Sequence, residues 1–195
     1  MPTQAERRRA TRAALVKAAR ILFGRRGFRA TTIDQIAESA GVAKGAVYHH
    51  FPTKVNLFEA VLESVSEQIA DEVRRSARDE SDILVAMATA IRTYFAICAK
   101  KANARIVLKD GPAVLGWERW REIDARHFGG GVPVVLEAAM QAGTIKRQPV
   151  EPLSRLLLGA ITEAAVGCAT HRDYRTASSE YVAAIESLLE GIRAK

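Results

Sequence analysis

Apolar residues recur every three to four positions along most of the chain, a spacing that places them on one face of an α-helix. No long stretch alternates apolar and polar residues with period two, as a half-buried strand would. We therefore predict an all-α protein. The pattern places its helices at about residues 5–24, 32–40, 43–51, 53–78, 82–100, 103–109, 113–143, 152–171 and 176–193.

Polar segments and segments with glycine or proline predict where these helices end. Residues 79–82 and 111–112 predict breaks, and residues 146–152 predict a loop. The three glycines at 129–131 interrupt the seventh segment, where we expect a kink or a split. They follow no strand pattern and lack the Lys-Ser/Thr ending of a phosphate-binding loop, so they do not indicate a nucleotide site.

Residues 31–58 predict two short helices, a tight turn between them, and a third helix that begins near Thr53. Thr32 and Gln35 have capping-box spacing at the start of the first helix. Gly41 lies where that helix ends and the backbone needs a positive φ. This is the pattern of a helix-turn-helix, whose second helix enters the major groove of DNA.

The second of these helices has one apolar and one polar face. Val42 and Val47 are the apolar side chains that seat it against the first helix. The residues predicted to face outward are Lys44, Gly45, Tyr48 and His49. A glycine between two helices is common in any helical hairpin, so the prediction of DNA binding depends on all these features falling in register.

The charge of the chain is concentrated in the same region. The whole chain holds 29 Lys and Arg against 22 Asp and Glu, an excess of seven. Residues 1–60 hold 11 Lys and Arg against 4 Asp and Glu, which accounts for the entire excess. A basic segment of this kind is expected of a domain that displaces counterions from phosphates.

Composition excludes several other classes of protein. A chain of 195 residues forms one or two domains and buries a substantial core. We find no run that approaches the length of a membrane-spanning helix, and the basic N-terminus lacks a signal-type apolar region. Cys98 and Cys168 lie in apolar helical patterns and are predicted to be reduced core residues. The four histidines have no metal-ligand spacing, so we expect no metal and no cofactor.

The last two helices carry apolar stripes wider than one packed face requires. Ordinary core packing accounts for part of each stripe. Pairing with the same helices of a second copy would bury the rest in a four-helix interface. The candidate interface residues are Leu156, Ala160, Ala164, Cys168, Tyr181, Ile185, Leu188 and Leu189.

These motifs together resemble the TetR (tetracycline-repressor) family of bacterial one-component regulators, most closely over residues 10–58. The matching positions are Ala18-Ala19, Phe23-Gly24, the run Gly27 to Thr32, Ile36-Ala37, Gly41-Val42, Gly45, Val47-Tyr48, Phe51, Lys54 and Leu57-Phe58. The rest of the chain matches in helix count, helix length and loop placement. Ala43 and Ala46 depart from the family, which usually has Ser or Thr at these positions. A hydroxyl at the first of them would cap the recognition helix.

The resemblance implies two domains and a homodimer. Residues 1–53 would form the three-helix DNA-binding domain, and residues 54–195 the helical domain for ligand binding and dimerisation. The protein would be a cytoplasmic repressor, associated with the bacterial nucleoid, that binds a palindromic double-stranded operator and is released by a small molecule. Its implied DNA-binding residues are Thr31, Thr32, Ala43, Lys44, Gly45, Val47, Tyr48, His49 and Lys54. Lys44 and Gly45 would approach base edges, whereas Thr32, Tyr48 and Lys54 would hold phosphates.

A small-molecule effector would bind among aromatic and apolar residues of the C-terminal domain. Trp117, Trp120, Asp124 and Phe128 are spaced by 3, 4 and 4 positions and so lie near one helix face. The other candidates, on an earlier helix, are Met87, Ile91, Tyr94, Phe95 and Cys98. Aromatic residues at helical spacing also occur in ordinary cores.

Two other classes of function remain open. The chain could be an all-α enzyme or small-molecule carrier, although it has no nucleophile-base pattern. It could also be a non-specific architectural DNA binder. The arginines at residues 7–9 would form either an arm along the DNA or a disordered solubilising tail.

Overall fold

The computed structural model describes residues 3–194, and these residues contain no strand. The predicted all-α fold is confirmed. The α-helices are α1 (Gln4–Arg26), α2 (Ile33–Ala40), α3 (Lys44–His50), α4 (Lys54–Ser76), α5 (Ile83–Cys98), α6 (Lys101–Asn103), α7 (Gly111–Leu115), α8 (Trp117–Asp124), α9 (Val132–Gln141), α10 (Val150–Thr170) and α11 (Tyr174–Gly191). Two π-helical segments, π1 (Ala104–Asp110) and π2 (Ala125–Gly129), follow α6 and α8.

Short-range signals in the sequence set the ends of the N-terminal helices. The Thr32 side chain accepts a hydrogen bond from Gln35 N, and the Gln35 side chain returns one from Thr32 N, so the predicted capping box is confirmed. Thr3 and Glu6 form a second capping box at the start of α1. The arginines at residues 7–9 therefore lie in a regular helix, which corrects both the flexible-arm and the disordered-tail interpretation.

The predicted break at residues 111–112 is wrong, because the helix continues through it. Pro112 falls in the first turn of α7, where a residue without a backbone N–H is tolerated. Gly111 has a helical φ of −50° and is buried against Trp120, whose Cδ1 would lie 2.7 Å from a Cβ at this position. The chain turns instead at Gly116, which has a φ of +80°. The predicted split at the three glycines is confirmed, since π2 ends at Gly129 and α9 begins at Val132.

The chain divides into two compact units. The first holds residues 1–65 and 101–120, and the second holds residues 66–100 and 121–195. The predicted domain ranges 1–53 and 54–195 include Met1, Pro2 and Lys195, which lie outside the described residues. The domain boundary at residue 53 stays a prediction. Helix α4 begins at the next residue, Lys54, and its residues belong partly to the first unit and partly to the second.

A cluster of three phenylalanines forms the centre of the first unit. The ring centroids of Phe23, Phe28 and Phe58 lie 5.3 to 5.7 Å apart, and two of the three pairs have edge-to-face geometry. These residues come from α1, from the loop after it, and from α4. The cluster therefore fixes the helices that flank α2 and α3.

The core of the second unit is built from α5, α9, α10 and α11. Its fully buried residues include Leu136 of α9 and both cysteines, so the prediction of free core thiols is confirmed. By length and composition alone α10 could cross a membrane, since its most apolar window has a mean hydropathy of 1.3. This corrects the expectation that no segment reaches that length. Core helices of water-soluble proteins meet the same criterion.

Candidate nucleic-acid interface and effector cavity

Helices α2 and α3 are joined by a turn that a glycine makes possible. Gly41 has a φ of +68° and a ψ of +33°, the left-handed conformation that the sequence predicts. The N–H of Val42 then donates to Ala37 O at 3.0 Å, which closes the end of α2. Ile36 of α2 and Val47 of α3 are fully buried, so the two helices are held as one unit.

The outward face of α3 agrees with the prediction. Lys44, Gly45, Tyr48 and His49 are exposed, and Tyr48 keeps 46% of its surface accessible. A Cβ built on Gly45 would meet no atom within 4 Å, so nothing within the described chain requires a glycine there. A requirement for a short residue at this position would therefore come from a partner.

Lys44 forms an ion pair with a carboxylate on the same surface. Its Nζ lies 2.9 Å from Oδ1 of Asp34, on α2, and both side chains are more than half exposed. The hydrogen bond and charge of Asp34 raise the pKa of Lys44. Lys44 must leave or share this carboxylate in order to approach DNA.

Two of the predicted DNA-binding side chains are buried. Thr31 donates its hydroxyl hydrogen bond to Gly27 O at 2.8 Å, and Val47 packs inside the helix-turn-helix. Burial excludes direct contact of these side chains with DNA, so both residues support the surface instead. Ala43 is the N-cap of α3 and makes no side-chain cap, whereas the exposed Thr32 caps α2.

Lys54 has a structural role that spacing along the sequence does not reveal. Its Nζ donates to Phe28 O and to Thr31 O, both at 3.0 Å, and lies 4.2 Å from the centroid of the Phe28 ring. Lys54 therefore holds the loop between α1 and α2 with two of its three N–H donors, and its phosphate contact stays a prediction. The carbonyls of that loop have no helical partners and need a donor.

Two residues of the first unit that the sequence analysis missed support this loop and the end of α1 before it. The carboxylate of Asp110, at the end of π1, accepts a hydrogen bond from Phe28 N at 2.8 Å. Arg105 donates to Gly24 O at 3.3 Å and also to Arg25 O. Their sequence signal is only that charged residues lie within an otherwise apolar segment.

The second unit contains a largely apolar, partly open cavity of about 360 Å³. Five of the predicted effector residues line it: Met87, Ile91, Tyr94, Asp124 and Phe128. Side chains of α4, α9 and α10 complete the wall, among them Val73, Val132, Val135, Leu157, Leu158 and Ile161. A volume and lining of this kind suit a small apolar molecule.

The polar part of the cavity wall is centred on Asp124. Its Oδ2 accepts a hydrogen bond from Arg121 Nη1 and another from the Thr162 hydroxyl, both at 3.3 Å. Burial raises the pKa of Asp124 above its ordinary value, and the opposing effects of Arg121, Thr162 and the charge of His127 only partly offset this rise. Thr162 was not predicted, because its contact with Asp124 joins residues 38 positions apart.

Four of the predicted effector residues do not line this cavity. Trp120 is buried against Gly111 in the first unit, and Trp117 packs beside Trp120 with the ring centroids 5.0 Å apart. They share a helix face with Asp124, but positions on one face several residues apart meet different neighbours. Phe95 and Cys98 are buried on α5 without reaching the cavity.

Two family models together match most of the chain. Residues 15–61 match the model for bacterial regulatory proteins of the tetR family, and residues 84–192 match the tetracyclin repressor-like C-terminal domain. The chain belongs to the TetR family. It is a helix-turn-helix transcriptional regulator, and the alternative of an enzyme is set aside because the TetR family and the relatives found are regulators.

Individual TetR-family proteins are similar over different lengths. The Transposon Tn10 TetC protein of Escherichia coli is 25% identical over 98% of this chain and 97% of its own. The regulator TtgR of Pseudomonas putida is 41% identical over 37% of this chain and 34% of its own length. A TetR-family regulator from Pectobacterium atrosepticum has a TM-score of 0.89 at 29% identity, covering 100% of this chain and 99% of that one.

The residues predicted for a TetR-type dimer interface fall into two groups. Leu156, Tyr181 and Leu188 are exposed, with 73%, 42% and 62% of their surface accessible, and Ala160 is half-buried. The other four are buried in the core of their own chain: Ala164, Cys168, Ile185 and Leu189. The wide stripes therefore serve the core along one edge and leave the other edge uncovered.

Proposed function

We propose that this TetR-family chain is a homodimeric repressor that binds a palindromic operator and is released by a small molecule. The observation that carries the proposal is the exposed face of α3, where Gly45 has open space above it in a segment that holds all the excess positive charge. A glycine there allows the backbone to approach base edges closely.

Two-fold symmetry would set the form of the operator. In a dimer the two copies of α3 would enter successive major grooves about 34–36 Å apart, which requires an inverted repeat. Lys44 and Gly45 would approach the base edges, and Thr32, Tyr48 and His49 would contact the backbone. Lys54 is left out of this set, since its amino group holds the loop after α1.

The uncovered edge of α10 and α11 supports the dimer. Leu156 and Leu188 are large apolar side chains exposed to more than half of their surface, and Gly159 has no atom within 4 Å of an added Cβ. Pairing of this edge with its symmetry copy would bury the exposed leucines. Sedimentation tests it: wild type should be dimeric at micromolar concentration and Leu188→Glu monomeric, whereas a monomeric wild type would contradict the dimer.

Release by a ligand needs a difference in affinity between two conformations. Asp124 in the cavity wall ends α8, and Trp120 on the same helix packs on Gly111, next to Asp110. Asp110 in turn holds the loop that precedes α2. A ligand that shifts α8 could thereby disturb the placement of α2 and α3 without touching them.

A reporter fused to the DNA upstream of the chain's own gene tests repression. The wild-type chain should lower reporter expression, and Lys44→Ala, which removes an exposed side chain of α3, should restore it. Increased expression with the wild-type chain would indicate an activator. Equal repression of a reporter with a scrambled upstream region would favour a non-specific architectural binder.

A further inference from the structure

The cavity wall has few polar groups, and their existing hydrogen bonds and ion pairs limit the ligands that fit. The Thr162 hydroxyl donates its proton to Asp124 and accepts from Arg121 Nη1 at 3.0 Å. The guanidinium of Arg74 is ion-paired with Asp71. An acceptor on a ligand would therefore compete with Asp124 for the Thr162 proton, and with Asp71 and solvent for Arg74, whose side chain is 63% exposed.

The carboxylate of Asp124, in contrast, is a hydrogen-bond acceptor in the cavity wall. Two donors converge on its Oδ2, which holds the group as an acceptor, and the residue is 92% buried. A carboxylate of this kind accepts further hydrogen bonds, because each ionised oxygen has two acceptor sites. A ligand group that donates a hydrogen bond therefore gains a bond at Asp124 without breaking one.

The charge around Asp124 decides between a neutral and a cationic donor. Arg121 Nη1 lies 3.3 Å from its Oδ2 and forms an ion pair with it. The cation of Arg121 already offsets the negative charge that a ligand ammonium would need once it left water. A ligand carboxylate would face Asp124 itself, with like charges in an apolar enclosure.

We infer that the effector is a neutral, largely apolar molecule of about two to four rings or equivalent size, with a hydroxyl that donates a hydrogen bond to Asp124. The apolar side chains from α4, α5, α9 and α10 would enclose its carbon skeleton within about 360 Å³. This inference rests on the proposed function, because it assigns the ligand chemistry of the same cavity.

Calorimetric titration of the full-length chain tests the inference with four probes on one skeleton: phenanthrene, 9-phenanthrol, phenanthrene-9-carboxylate and 9-(aminomethyl)phenanthrene. The hydroxyl probe should bind about 10-fold or more tightly than the parent hydrocarbon. The carboxylate and ammonium probes should bind no better than the hydrocarbon. Equal binding of the hydroxyl and parent probes, tighter binding of the ammonium, or no binding of any probe would overturn the inference.

The variant Asp124→Asn makes the test specific to this residue. Its carbonyl can take the bonds from Arg121 and Thr162, which turns the amide N–H toward the cavity and reverses the polarity of the wall. The advantage of the hydroxyl probe should therefore disappear while the hydrocarbon binds as before. Glu122→Gln, an equivalent change on the exposed side of α8, should change neither affinity. An unchanged hydroxyl preference in Asp124→Asn would contradict the assigned role.

Failure of the ligand class and failure of the proposed function can be told apart. DNA binding is measured on the same preparation, as affinity for the upstream duplex against a scrambled duplex. Site-specific DNA binding without a hydroxyl preference overturns only the ligand class. Loss of sequence preference in DNA binding overturns the proposed function, whichever probe the cavity accepts.

Discussion

Replacing Gly45 by alanine separates a folding role of this residue from a DNA-contacting role. A Cβ at this position meets nothing within 4 Å, and alanine is favoured over glycine in a helix by about 0.5–1 kcal/mol. The variant should therefore be at least as stable as wild type, with a Tm raised by about 1–4 °C for a chain of this size. The same methyl group would stand between α3 and the base edges. We expect it to weaken operator binding by about 1–3 kcal/mol, or about 5- to 150-fold.

The assay pairs thermal unfolding with fluorescence anisotropy on a labelled operator duplex. Gly130→Ala is the matched control, because Gly130 also has open space at its Cβ position and a helical φ of −67° but lies in the second unit. The control should leave operator affinity unchanged. Wild-type operator affinity in Gly45→Ala would refute close approach of α3 to DNA. A lowered Tm of Gly45→Ala would refute the inference that a Cβ at this position fits without a clash.

Three further predictions concern single side chains. Asp34→Asn frees Lys44 and removes a negative charge, so operator affinity should rise a few-fold at low salt and less at high salt; unchanged affinity in a salt titration would contradict this. Lys54→Met removes the donor to two loop carbonyls and should lower stability by about 1–3 kcal/mol, with no change in the salt dependence of DNA binding; a flatter salt dependence at unchanged stability would favour the phosphate contact instead. Burial raises the pKa of Cys98 to about 12, so a thiol reagent at pH 8 should label it only as the chain unfolds; rapid labelling of the native chain would disprove its burial.

Features that depend on neighbours in sequence were predictable from the residues alone. The capping box of Thr32 and Gln35 and the turn at Gly41 each involve residues at most a few positions apart. The same holds for the outward face of α3. Once Val47 is placed in the core, helical periodicity determines which side chains of α3 lie on the opposite, exposed face. These local signals were sufficient to locate the candidate DNA surface.

Features that depend on distant partners were not predictable. Lys54 is a basic residue beside a helix-turn-helix, but its partner carbonyls lie 23 and 26 positions earlier. Helical spacing placed Trp120 and Asp124 on one face, yet it could not show that Trp120 packs on Gly111. The pairing of Asp124 with Thr162 spans 38 positions and exists only in the folded chain.

The measurement that tests the account most directly compares the affinity of the chain for two duplexes of equal length. One carries the inverted repeat protected in a footprint of its own upstream region, and the other carries the same bases scrambled. At physiological salt the account predicts that the first binds about 10³-fold or more tightly, as site-specific regulators do. Equal affinities that fall together as salt rises would contradict it, since they would show binding to phosphates alone.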